Sequence, residues 1–150
     1  RADGAGLLLL ASASACTELG LRPVARWQGY RALGGASSMP LTQALAAADS
    51  LLQRTRLDWN ALHAIELHDA FAVQGLQWEQ HLEKQGMDAA LLNRHGGGLA
   101  RGHPIGASAA IALVRLLADL QHAPTGTAWG LTAVAGAGGL GSAALVRRLS

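Results

Sequence analysis

Six histidines and one cysteine are the side chains of this 150-residue chain best suited to chemistry near neutral pH. A metal site would place histidines at helical or hairpin spacing. His63 and His68 stand five apart and neither belongs to an H-E-x-x-H arrangement, so no metal ligand set is expected. His63, His81 and His122 read as structural histidines. His68 closes a strand-like segment, and His103 stands among glycines just ahead of a helical one. Strand ends and the loops after them are where α/β proteins place their chemistry. A histidine held there can shuttle a proton or donate a hydrogen bond to an oxyanion. The glycines around His103 leave room for a substrate carbonyl, and the two histidines are predicted to share one pocket beside Ala135 and the glycines that follow it.

Two other motifs invite functional readings that their surroundings exclude. Gly136, Gly138 and Gly141 satisfy G-x-G-x-x-G, but a dinucleotide loop needs a following helix and a returning strand, and too little chain follows Gly141 for either. A tight turn between strands, open to close approach by another backbone or a ligand, is the better reading. His95-Gly96-Gly97-Gly98 resembles an esterase oxyanion loop, yet no G-x-S-x-G elbow exists to supply a nucleophile.

The elements that must carry these residues follow from periodicity and punctuation. Leu7 to Leu10 suits a strand buried on both faces. Ser12 or Ser14 caps a short helix ending near Gly20. Val24 to Tyr30 alternates as a strand, Gly34 to Ser38 is a loop, and Thr42 to Thr55 is helical. Asp58 caps a turn from Trp59, and Ala64 to His68 alternates as a strand. Asp69 is expected to cap a helix running to about Gly86. A glycine-rich loop leads to a mostly buried helix, Ser108 to Gln121. Strands at Thr127 to Ala135 and Ser142 to Leu149 form an antiparallel hairpin. The alternation means an α/β fold, in a single domain over residues 1–150.

Composition bounds the partners. Half the residues are hydrophobic and 15% are charged, enough apolar content for a core and unlike a disordered tail. Twelve bases against ten acids are scattered without a cluster, so nucleic acid is not expected as a partner. Apolar runs such as Leu7 to Ala11 fall far short of the roughly 20 residues of a membrane helix. A lone cysteine, Cys16, suits a reducing, cytoplasmic setting. Arg1 in place of an initiating Met, with no signal-peptide layout, suits an excised piece of something larger.

Four blocks in order resemble the C-terminal half of the thiolase family. Asp3-Gly4-Ala5-Gly6 followed by Leu7 to Leu10 is similar to that half's D-G-A-A-A start. Glu66-Leu67-His68-Asp69-Ala70-Phe71-Ala72-Val73-Gln74 is similar to E-x-N-E-A-F-A-x-Q. Asn93 to Ser108 resembles N-x-x-G-G-x-x-A-x-G-H-P-x-G-A-S, and Gly138-Gly139-Leu140-Gly141 matches the closing glycine turn. The resemblance implies one of two similar halves, each a five-stranded mixed sheet layered with helices, acting on acyl chains carried by coenzyme A, a thioester substrate with no covalently bound cofactor. It implies a nucleophilic cysteine in an N-terminal half of the same parent chain, and homo-oligomeric assembly. Cys16 matches no catalytic position and reads as a buried small hydrophobe. By the same resemblance His103 activates the nucleophile and helps form an oxyanion hole. His68 replaces the asparagine that fixes a water there. Phe71, Gly102, Pro104, Ala137 and Gly138 fall at substrate-binding positions.

Two departures bear on mechanism. The acid/base cysteine of the family's C-x-G motif is Ala135 here. A family branch with H-D-C-F takes its cysteine from that segment instead, and this chain has Ala70 there. Alanine has no proton to give. The related β-ketoacyl synthases serve their nucleophile with two histidines, so His68 with His103 suggests a decarboxylative or hydrolytic acyl-CoA enzyme as an alternative. A catalytically silent member is the other.

Overall fold

The computed structural model describes residues 1–124 and 128–149. In chain order the elements are α1 (Ala13–Glu18), β1 (Ala25–Gly34), α2 (Gln43–Thr55), β2 (Leu62–His68), α3 (Ala72–Lys84), α4 (Gly97–Arg101), α5 (Ser108–Gln121), β3 (Trp129–Gly136) and β4 (Leu140–Arg148), with single 3-10 turns at Trp59–Ala61 and Ala89–Leu91. The expected strand start at Thr127 lies outside the described residues. The sheet has four strands in the order β1-β4-β3-β2; β2 and β3 run parallel, and β4 is antiparallel to both its neighbours. The α/β class and the closing hairpin are as expected.

The fifth strand is not there. Leu7 to Leu10 adopts no strand, and Leu7, Leu9 and Leu10 are 89%, 78% and 73% exposed. Residues before it lie along the start of α5, where a Cβ on Gly6 would stand 2.9 Å from the Ala110 Cβ. The run continues past Leu113, Val114 and Leu117, lining with Cys16 an open cleft. Apolarity reports a demand for burial but not which surface meets it. Cys16 is accordingly half-buried rather than buried.

Two core layers enclose the sheet. On one face, Ala44, Ala47, Ala48, Leu51 and Leu52 of α2 pack with Trp59, Ile65, Leu67, Trp78, Leu82, Leu131, Ala133, Ala143 and Leu145. On the other, Leu116 and Leu120 of α5 pack with Ala64, Ala128 and Val146. Strand β2 is therefore covered on both faces, and His63 alone escapes full burial. Helix α5 is buried along one stripe only, with Val114 39% exposed, because the sheet covers just that side.

Glycine decides one close approach at the hairpin. Gly138 and Gly139 have φ of 80° and 83°, a left-handed turn that favours glycine. A Cβ on Gly141 would collide with the Gln43 backbone, so its absence lets the start of α2 lie directly on β4. The backbone contact expected of this turn is present.

Candidate active site

Parallel pairing brings the ends of β2 and β3 to the same edge of the molecule, with His68 opposite Val134. Along β2, Ile65 and Leu67 face α2 while Ala64 faces α5, so Glu66 and His68 point to the α5 side. Segment 92–103 folds against this strand end. Asn93, at φ 47°, donates its backbone N–H to Ile65 O (2.8 Å) and accepts from Leu67 N through Oδ1 (2.8 Å), completing the open edge of β2.

The glycine-rich stretch expected as loop contains α4. Its first turn rests on the Asp69 carboxylate, whose Oδ1 accepts from the backbone N–H of Gly98 and of Leu99. Asp69 is therefore not the cap of α3. The N-cap there is Phe71, whose N–H donates to Gln74 Oε1 at 3.1 Å. Asp69 is only 6% exposed, and a buried carboxylate takes the nearest free donors, here those of α4 rather than of its own following helix. Asp58 likewise precedes its 3-10 turn without a side-chain cap bond.

His103 follows α4 at once and meets His68. His68 Nε2 and His103 Nδ1 are 2.5 Å apart, with ring centroids 4.5 Å apart and planes 29° from parallel. Ser108 Oγ, at the buried start of α5, lies 3.3 Å from the same His103 Nδ1, and its hydroxyl donates to Pro104 O at 3.3 Å. On the far side, a Cβ on Gly98 would stand 2.9 Å from His68 Nδ1. Burial, and then the neighbouring His103, hold His68 below its ordinary pKa, with Asp69 opposing. Beneath the pair, Arg101 Nη2 donates to Glu66 Oε2 at 3.1 Å; burial pushes the Glu66 carboxyl above its usual range against that cation. His103 and Pro104 form the wall of an open cleft of about 530 Å³ with residues 1–4 and 105–107.

The other expected site residues are dispersed. Gly102, at φ 87°, ends α4 and abuts Ala2. Phe71 is 61% exposed at the start of α3, and Ala137 and Gly138 are exposed on the hairpin turn. None of these four lines the His103 cleft. Ala135 lies at the same sheet end as His68, but its side chain follows Ala133 into the α2-side core, on the opposite face from the histidine pair. The expected grouping of the histidines with Ala135 therefore splits across the sheet, because consecutive strand residues alternate faces. Sequence reasoning passed over Glu66, Gly98, Arg101 and Ser108. Their signal was local: each lies within five residues of a singled-out histidine. The four remaining histidines have structural partners: His63 Nδ1 accepts from Trp129 N, His81 flanks Asp49 and Trp59, His95 Nε2 lies 3.1 Å from Asp119 Oδ1, and His122 Nδ1 meets Ala118 O. Among the described residues, no helix is long and apolar enough to cross a membrane.

Residues 21–148 match the family model for the thiolase C-terminal domain. Acetyl-CoA acetyltransferase 1 of Arabidopsis thaliana is 36% identical over 96% of this chain and 33% of its own length. The steroid 3-ketoacyl-CoA thiolase FadA6 of Mycobacterium tuberculosis is 32% identical over 98% of the chain and 35% of its own length. Among solved structures, the Acat5 thiolase of Ascaris suum in complex with coenzyme A superposes with a TM-score of 0.81 at 31% identity, covering 93% of this chain and 35% of that one. The chain thus spans about a third of the length of the curated relatives it matches.

Proposed function

This chain belongs to the thiolase family as its C-terminal domain, and from that premise we propose that the whole protein is an acyltransferase acting on 3-ketoacyl-CoA and acetyl-CoA, to which this domain contributes a histidine wall. Coenzyme A enters as the substrate's carrier. The single observation behind the reading is the contact of His68 with His103 at the cleft.

The hydrogen bonds suggest how the pair works. Ser108 spends its proton on Pro104 O, so its oxygen is an acceptor toward His103. With its proton on Nδ1, the His68 ring, kept neutral by burial, offers Nε2 as a second acceptor. One Nδ1–H on His103 serves both, which leaves Nε2 of His103 with its lone pair as the nitrogen for substrate. That nitrogen takes a proton from a thiol and, once protonated, donates to a thioester oxygen. The acyl acceptor is a cysteine of the N-terminal half of the same parent chain, which assembles as a homo-oligomer in the cytoplasm. The coverage of about a third of each relative supports a partner half.

In the full-length protein His103→Ala should lower turnover by about 10²–10⁴-fold, the usual cost of one positioned acid or base. Unchanged turnover would reject the reading.

A second reading draws on the same contact together with Ala70 and Ala135. Two histidines without an acid/base thiol suit decarboxylative condensation, in which loss of CO₂ generates the carbanion and no C–H bond is broken first. Thiolysis of a 3-ketoacyl-CoA should then be weak, and a malonyl thioester should be used better. Brisk thiolysis by the unmodified protein favours the first reading over the second.

A further inference from the structure

Below the histidine contact lies a second cross-link with the same spacing. Glu66 and His68 are two apart on the α5-facing side of β2, and Arg101 and His103 are two apart where α4 gives way to its loop. Glu66 meets Arg101 at 3.1 Å as His68 meets His103 at 2.5 Å, so the two segments form a ladder with one ionic and one imidazole rung. Glu66 is 0% exposed and Arg101 27%, so the ionic rung is largely shielded from water and salt, unlike a surface pair. Gly102, at φ 87°, is the single residue between Arg101 and His103, and its left-handed conformation leaves the loop no stiffness of its own to fix the ring.

We propose that Glu66 and Arg101 are positioning residues: their ion pair anchors the end of α4 to β2 and thereby sets the placement of His103 against His68. The inference rests on the acyltransferase reading for its kinetic consequence, but not for its structural one.

Removing Arg101 alone would strand a buried carboxylate, so the test variant replaces both partners, Glu66→Leu with Arg101→Met, in the full-length protein. Circular dichroism confirms that it folds, and Arg101→Lys serves as the conservative control. The double variant should lower kcat by about 10²-fold, the scale of a displacement near 1 Å, with KM little changed. Arg101→Lys should recover most of that loss. In a His103→Ala background the double replacement should cost nothing further, because it acts through His103. In parallel, nitrogen-15 histidine spectra should show a downfield N–H for the proton shared by His68 and His103, lost in the double variant and kept in Arg101→Lys. An unchanged N–H signal in the folded double variant, or a loss of kcat that adds fully to that of His103→Ala, overturns the brace. An N–H signal that follows the brace while His103→Ala leaves turnover intact overturns the acyltransferase reading and leaves the brace standing.

Discussion

Gly98 limits how closely the two histidines are held. With any side chain there, a Cβ would stand 2.9 Å from His68 Nδ1 and 3.0 Å from the Asp69 carbonyl oxygen, closer than Cβ atoms normally approach. Gly98→Ala must therefore push His68 aside. It should cost about 1–3 kcal/mol of stability through overpacking and about 10²-fold in kcat through misplacement, read from urea titration and steady-state kinetics. His68 itself carries a pH signature. Burial keeps its ring neutral and its pKa below the ordinary 6.5. The unfolded chain takes up that proton first as pH falls, so the contribution is fully present above about 6.5 and is lost as pH drops through the lower folded value. Urea midpoints measured from pH 8 down to pH 5 should fall less steeply in His68→Asn than in the unaltered chain. Equal slopes would place His68 in a more solvated setting than the one described.

Between elements, one carboxylate ties β2 to α4. Asp69 accepts from Gly98 N and Leu99 N; of the two buried glycines ahead of Leu99, Gly97 lies against Asp69 and Asn93, and Gly98 against Asp69 and His68. Asp69→Ala should cost about 1.5–3 kcal/mol, the worth of hydrogen bonds to a buried charge, and should speed amide exchange at residues 98 and 99 ahead of the rest of the domain. Exchange unchanged there would mean α4 stands on other contacts. This element also marks where reading the chain succeeded and where it stopped. Helices α2 and α5 and the β3–β4 hairpin were legible because apolar spacing and turn residues are local properties. Helix α4 was not, since four glycines among its neighbours argue for a loop, and only the donors' encounter with a distant carboxylate makes it helical. Leu7 to Leu10 failed for the converse reason, a strong strand pattern without a partner strand. Of the site, His68 and His103 were legible from their places at strand end and loop. Glu66 and Arg101 were marked only by standing two residues from those histidines, because their pairing across 35 positions leaves no trace in either segment alone.

At the scale of the molecule, apolar surface is left uncovered. Leu7, Leu9 and Leu10 lie near Trp27 and Tyr30 of β1, which are 45% and 68% exposed, beside the clefts that run along α5. Surface of that kind marks an interface. The 150-residue chain alone should self-associate at micromolar concentration, with a sedimentation coefficient that rises on concentrating; a single concentration-independent monomer would argue that the surface needs no cover. The strand order has a consequence for biosynthesis as well. Strand β4, last in chain order, sits inside the sheet between β1 and β3, and among the described residues it is the only strand paired with β1. A ribosome delivers β1 long before β4, so throughout the translation of more than a hundred residues β1 waits as an unpaired ribbon. Its closure is the slow, long-range step. A nascent chain stalled ahead of Leu140 would hold a parallel pair and a loose strand, the species a holding chaperone binds, and release from that chaperone should coincide with emergence of β4 from the exit tunnel.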